Sequence, residues 1–313
     1  MADSFALSAL LLIAALLCGR LLPIPLVYHP LSFYAAFCSA LARKVHPDQQ
    51  RPVSQQRISG LLALLLAVGL PLVLLGSTYL LASWSLLIDA IVLLGCSNWQ
   101  PYQAQALRIS SSLDKSLSGL ARTQARLLLL RDTKQLSRLG LVKALLESLS
   151  LRFSQQIIAV VFWYLLAGAP GLLCYRLCQL ASQQWSVKLP TYQHFGMAAC
   201  RLHQWLCFLP YCISALLYRL QSANQSKSAT LLSEGRPFPK AKQWLLQQLS
   251  RTLQVSLGGP AYYQQQQYRR LRLQHQYEPD IGDLKRLLRL QQHQFTLILL
   301  LLAGVATVSL FNH

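Results

Sequence analysis

The stretch ISGLLALLLAVGLPLVLL, residues 58–75, carries no charged side chain and is 18 residues long. At about 1.5 Å of rise per residue, a helix of that length just crosses a hydrocarbon core. Working outward from it, five further apolar segments of similar length follow the same reading: 5–22, 78–96, 155–177, 201–220 and 294–311. The fifth in chain order, 201–220, opens on Arg201 and His203 and is interrupted by Pro210, which predicts a kink or an interfacial tilt. The sequence therefore predicts an all-α, polytopic membrane bundle of about six helices, with residues 1–313 forming one integral membrane domain. A secretory leader is the competing reading of 5–22. Asp3 stands where a basic region would precede it, and no small-residue cleavage site stands out, so the segment is read as a span.

Charge orients the bundle. Of 29 Lys and Arg, 26 fall in 20–57, 97–153 and 219–293, and only Arg176, Lys188 and Arg201 fall between the other spans. Basic residues flanking spans stay on the cytoplasmic side. The expectation is a multi-pass protein of the plasma (inner) membrane with those loops in the cytoplasm and both ends outside. The net charge of +19 is matched by anionic lipid rather than by nucleic acid, because no nucleic-acid-binding motif accompanies it. With 53% hydrophobic and 12% charged residues, the lipid bilayer is the first partner expected. The eight cysteines form no C-x-x-C and sit mostly in or beside apolar segments, where they read as small reduced packing residues. Cys174 and Cys178 are one helical turn apart without a matching His or acid pair. Asp89 is the one acid well inside a predicted span, and it reads first as a helix-contact residue.

The two long inner segments, 97–153 and 221–293, read as helical insertions. Residues 102–130 have helical composition, Arg131-Asp132-Thr133 breaks the pattern, and a second helix is expected from 134 to 151. Leu136, Leu139, Val142, Leu146 and Leu149 fall three or four apart on it. Asp132 with Gln135 fits a capping box, and Glu147 is placed to pair with Lys143 one turn earlier. A helix is expected over 239–255. Beyond it, Gly258-Gly259-Pro260 allows a tight turn and close backbone approach to a ligand, followed by Tyr262-Tyr263 and a basic interfacial segment, 264–272. No internal repeat is apparent.

Across most of the chain these motifs come in a recognisable order: His29-Pro30, Arg131-Asp132-Thr133, Glu147-Ser148-Leu149, Phe162-Trp163, Gly168-Ala169-Pro170-Gly171, Tyr175-Arg176, Phe195-Gly196, Arg201-Leu202, Pro210, then Gly258-Gly259-Pro260 and Tyr262-Tyr263. The order resembles the adenosylcobinamide-phosphate synthase family of cobalamin biosynthesis. The resemblance implies an integral membrane ligase that uses Mg and ATP to join an aminopropanol arm, usually phosphorylated, to the carboxylate of adenosylcobyric acid. The corrinoid is then a substrate rather than a cofactor. It implies Asp132 and Glu147 as catalytic residues. His29, Arg131, Thr133, Arg201, Gly258, Gly259, Tyr262 and Tyr263 are implied at the substrate, and no metal ligand set is assigned.

The chain departs from the family's pattern in one direction. Leu151 and Arg152 stand where that pattern has an acid and Asn. The run 179–182 replaces a stretch ending in Asp, His203 and Gln204 replace an acidic pair, and Cys207 replaces Asn. Leu22-Pro23-Ile24-Pro25 stands in place of Gly-Asp-Pro. Two readings stay open: a divergent synthase, and a non-catalytic membrane relative comparable to the regulator linked to β-lactamase induction. A transporter is disfavoured, since no paired polar residues mark a path.

Overall fold

The computed structural model describes residues 2–21, 30–46, 51–81, 84–134, 136–222, 230–232, 239–263, 266–268, 270–275 and 277–311. His29, Gln135 and the 22–25 replacement lie outside them. Twelve helices are described: α1 (Ala2–Leu21), α2 (Pro30–Val45), α3 (Val53–Leu81), α4 (Ser85–Cys96), α5 (Gln100–Asp114), α6 (Ser118–Ala125), α7 (Arg138–Phe153), α8 (Ala159–Gln184), α9 (Met197–Leu206), α10 (Phe208–Leu220), α11 (Lys240–Leu253) and α12 (Ile281–Phe311). Five short strands join them: β1 (Thr230–Leu232), β2 (Leu257–Gly258), β3 (Ala261–Tyr263), β4 (Gln266–Tyr268) and β5 (Arg272–Gln274). The fold is mostly helical, as the all-α expectation requires. The segment expected to lie along the interface instead forms strands, with β5 between β1 and β2 and β3 paired with β4, all antiparallel.

The chain divides into two compact units, 1–98 with 159–207 and 302–313, and 99–158 with 208–301. In the first unit α3 shows how a lipid-facing helix differs from a soluble one. It buries Gly60, Ala63 and Ala67 and turns Leu61, Leu62, Leu65 and Leu66 outward. Small residues permit close backbone approach: a Cβ on Gly60 would lie 2.0 Å from the Phe195 carbonyl oxygen. α8 bends where Gly168 takes φ +62° two residues before Pro170, which has no N–H to donate.

Among the described residues, three helical stretches are long and apolar enough to cross a membrane: Val53–Leu81, Arg138–Gln184, which runs through α7 and α8, and Ile281–Ser309. Shorter apolar helices cover Ala6–Leu21 and Phe208–Leu220. Two of the six expected spans are not single helices. The 78–96 segment is shared between the end of α3 and the 12-residue α4, which at about 1.5 Å per residue is too short to cross. The 201–220 segment breaks at Cys207, between α9 and α10.

This changes the expected alternation. With 78–96 as a full crossing, 20–57 and 178–200 fall on opposite faces. Instead they pack together: Trp185 Nε1 donates to the Cys38 carbonyl at 3.0 Å, His46 Nε2 lies 3.0 Å from the Thr191 carbonyl, and His46 stacks on Phe195 at 5.1 Å.

In the second unit α7 is buried on nearly every side. Leu141, Val142, Leu145, Leu146 and Leu149 are within its core, and it packs on α11 and the β2 turn. The expected stripe is therefore only part of its buried surface, and Leu139 from that stripe is exposed. α10 packs along α11, with Thr252 Oγ1 donating to the Tyr218 carbonyl at 3.0 Å. The N-cap of α7 is Ser137, whose Oγ accepts from the Gly140 N–H at 3.1 Å, five residues beyond the Asp132 expected to cap. α7 begins only at Arg138, so Asp132 is too early to reach its first turn.

Candidate functional site

Among the described residues the second unit buries one carboxylate, and its partners converge from four places in the sequence. Glu147, on α7, is 3% exposed. Its Oε2 accepts from Arg131 Nη2 at 2.9 Å and from Arg270 Nη1 at 3.1 Å, and its Oε1 accepts from the Gly258 N–H at 2.8 Å. Lys242, on α11, adds positive potential. Burial alone pushes the Glu147 carboxyl up, but Arg270, Arg131, the Gly258 N–H and Lys242 together outweigh it and hold the group down at about 2. Burial in turn lowers Arg270, and the charge of Glu147 more than restores it, so this guanidinium is raised above its ordinary value. Three cations around one carboxylate leave a local excess of positive charge.

The local sequence dictates this convergence. Gly258 has φ +81°, and a Cβ there would sit 2.2 Å from the Leu271 carbonyl oxygen, so only glycine lets β2 close on the strand side and aim its N–H at Glu147. Gly259, at φ +96°, has open space around its Cα, and its carbonyl accepts from Arg270 Nε at 3.1 Å. The β3–β4 hairpin brings Arg270 back over the turn. The Asp132 N–H donates to the Tyr262 carbonyl at 2.9 Å, which ties the loop before α7 to β3.

Of the residues the resemblance implied, Arg131, Asp132, Glu147, Gly258, Gly259 and Tyr262 therefore meet. Thr133 is buried beside them, and its Oγ1 has no hydrogen-bond partner among the described residues. Tyr263 is buried edge-on to Tyr268 at 5.4 Å. Arg201 belongs to the other unit, exposed on α9. The expected Lys143–Glu147 pair does not form. Lys143 pairs with Glu278, because Glu147 faces the Gly258 turn. Arg270 was missed: in sequence it is one of several basic residues in a segment read as interfacial, and only strand pairing reveals its reach.

Both oxygens of Glu147 are occupied by donors, which suits a positioning residue rather than a metal ligand or a base. No group of three or more His, Cys, Asp or Glu side chains is placed to hold a metal ion among the described residues. In the first unit, Cys207 Sγ at the end of α9 lies 3.6 Å from the His203 ring nitrogen and 3.7 Å from the Tyr175 hydroxyl. These replacement residues pack on one another. All eight cysteines are free thiols.

The family described as "CobD/Cbib protein" matches residues 12–291. The chain belongs to the CobD/Cbib family. It is 33% identical over 223 residues to the cobalamin biosynthesis protein CobD of Chromobacterium violaceum, covering 68% of this chain and 69% of that one. It is 31% identical over 209 residues to the CobD of Stutzerimonas stutzeri, covering 66% and 68%. A probable CobD of Pyrococcus furiosus is 38% identical over 88 residues, 28% of this chain and 31% of its own. No solved structure matches. These CobD/Cbib relatives are all named for cobalamin biosynthesis, and the regulator reading finds no support among them.

Proposed function

We propose that this CobD/Cbib protein forms the amide that joins an aminopropanol arm to adenosylcobyric acid, at the expense of ATP. The carboxylate oxygen takes the γ-phosphoryl group as its bond to ADP breaks. The arm's amine then attacks the acyl carbon, phosphate leaves, and the nitrogen loses a proton. The observation that carries this reading is the cationic cluster of Arg131, Arg270 and Lys242 around a single carboxylate. Such a cluster suits anionic phosphoryl groups, whose transition states are stabilised by fixed positive charge. Glu147 holds Arg131 and Arg270 in place. Half-buried Asp132 is the nearby carboxylate assigned to accept the amine proton. Replacement of acids at Leu151, Ser182, His203 and Gln204 accounts for an expected low rate.

The protein is placed in the plasma membrane, with 97–153 and 219–293 on the cytoplasmic side because they carry 21 of the 29 Lys and Arg. With α3 and α8 as crossings and α4 not, 20–57 and 178–200 share the face opposite 97–153, so reporters inserted at Arg51 and at Lys188 should register the same compartment.

Complementation of a synthase-deficient strain on cobyric acid tests the activity. Growth that is reduced by Lys242→Met and by Asp132→Asn, with both variants present in the membrane at normal levels, is expected. Failure of the unsubstituted chain to complement would overturn the reading.

A further inference from the structure

We infer that α6 and the turn after it form a foot resting on an anionic lipid surface. Normal burial is inverted here. α6 turns Ala121 and Ala125 inward and leaves Leu120 exposed, and Leu117 just before it and Leu127 just after it are exposed too, Leu127 by 68%. Leu130 and Leu139 continue the exposed leucines beyond the helix. A helix in water would hide its leucines and show its alanines. α3 has the same inversion, but α6 has only eight residues and cannot cross a bilayer.

Charge identifies what covers this face. Lys115, Arg126, Lys134 and Arg138 are exposed around the leucines, and residues 115–143 hold seven Lys or Arg against one acid, Asp132. Leucines that enter the acyl boundary while cations meet phosphates are the requirements of an interfacial segment. The foot is fastened to its unit: Arg122 Nε donates to the Leu136 carbonyl at 2.9 Å, and Arg152 Nη2 to the Leu128 carbonyl at 3.0 Å. Leu130 directly precedes Arg131, so lipid contact holds the Arg131–Glu147–Arg270 cluster close to headgroup level. The inference rests on this surface and not on the proposed reaction.

Hydrogen exchange read by mass spectrometry on the full chain in nanodiscs tests it. In phosphatidylglycerol-containing discs, amides of 117–128 should exchange about tenfold more slowly than in pure phosphatidylcholine discs, given three or more basic residues at the surface. Arg126→Gln with Lys134→Gln should remove that lipid difference, and Leu120→Gln with Leu127→Gln should remove the protection. Unchanged exchange in 141–150 certifies that each variant is folded, and the two-lipid comparison of the unsubstituted chain decides the question if a variant fails. Equal exchange in both lipids would overturn the inference. So would protection seen only in discs holding two copies, which would assign the face to self-association.

Discussion

Glu147 and Asp89 are held in opposite ways. Glu147 is enclosed by two guanidinium groups and a backbone N–H, whereas Asp89, on α4 in the first unit, is held by hydroxyls. Tyr79 donates to Asp89 Oδ1, and Tyr164 donates to Oδ2 at 3.2 Å. The difference follows from surroundings. Among the leucines of α3 and α4, bringing in a guanidinium is costly, and neutral hydroxyls satisfy the acid without adding another charge. In the second unit the backbone of a glycine turn and three basic side chains surround the carboxylate, so charge is met by charge. Glu147 organises its neighbours; Asp89 joins two helices to α8.

The largest effect expected from this contrast is at Glu147. Glu147→Ala strips two buried guanidinium groups of their counter-charge and should destabilise the second unit by about 3–5 kcal/mol. Thermal unfolding of the detergent-solubilised protein measures it. Replacing the whole cluster, Glu147→Leu with Arg131→Met and Arg270→Met, should recover most of that loss while complementation is abolished. Recovery of stability and activity together would mean that the cluster is structural only. Next comes the glycine turn. Gly258→Ala meets the Leu271 carbonyl and an unfavourable φ, and should cost about 2–4 kcal/mol, whereas Gly259→Ala pays only for its φ, about 1 kcal/mol. Equal effects would show that the close approach at Gly258 is not what fixes the turn.

Acid provides a related test. The folded Glu147 carboxyl lies at about 2, below its ordinary 4.5. Its contribution is therefore fully present above 4.5 and is lost as pH falls through 2, a change of about 3 kcal/mol. Unfolding followed between those pH values should show this dependence, and Glu147→Gln should flatten it. The smallest effect is at Asp89. Asp89→Asn keeps an acceptor for the tyrosine hydroxyls, and neutral hydrogen bonds between membrane helices contribute little, so a loss under about 1 kcal/mol is expected. A loss as large as that at Glu147 would erase the contrast between the two acids.

The helical class was legible because apolar runs such as 58–75 leave few alternatives. The crossing count was not. Composition does not distinguish a 19-residue span at 78–96 from a helix end followed by a short helix, and only the fold shows 178–200 packed on 20–57. At the site, Arg131, Glu147 and the Gly-Gly-Pro turn were visible as motifs, since breaks and glycines mark themselves. Arg270 was hidden because its role depends on the β3–β4 pairing, a non-local feature set by three-residue strands with no periodicity to read. The capping residue was misplaced for a related reason: Asp132 had the right chemistry, but its N–H is taken by the Tyr262 carbonyl, a non-local bond, and the helix starts only after Ser137.

The most direct test of the central claim uses the purified chain, adenosylcobyric acid, aminopropanol phosphate and Mg-ATP, with product followed by mass spectrometry. The account predicts slow formation of the amide with equivalent release of ADP and phosphate, reduced further by Lys242→Met without loss of folding. No amide from protein shown to be folded in its lipid environment would contradict it.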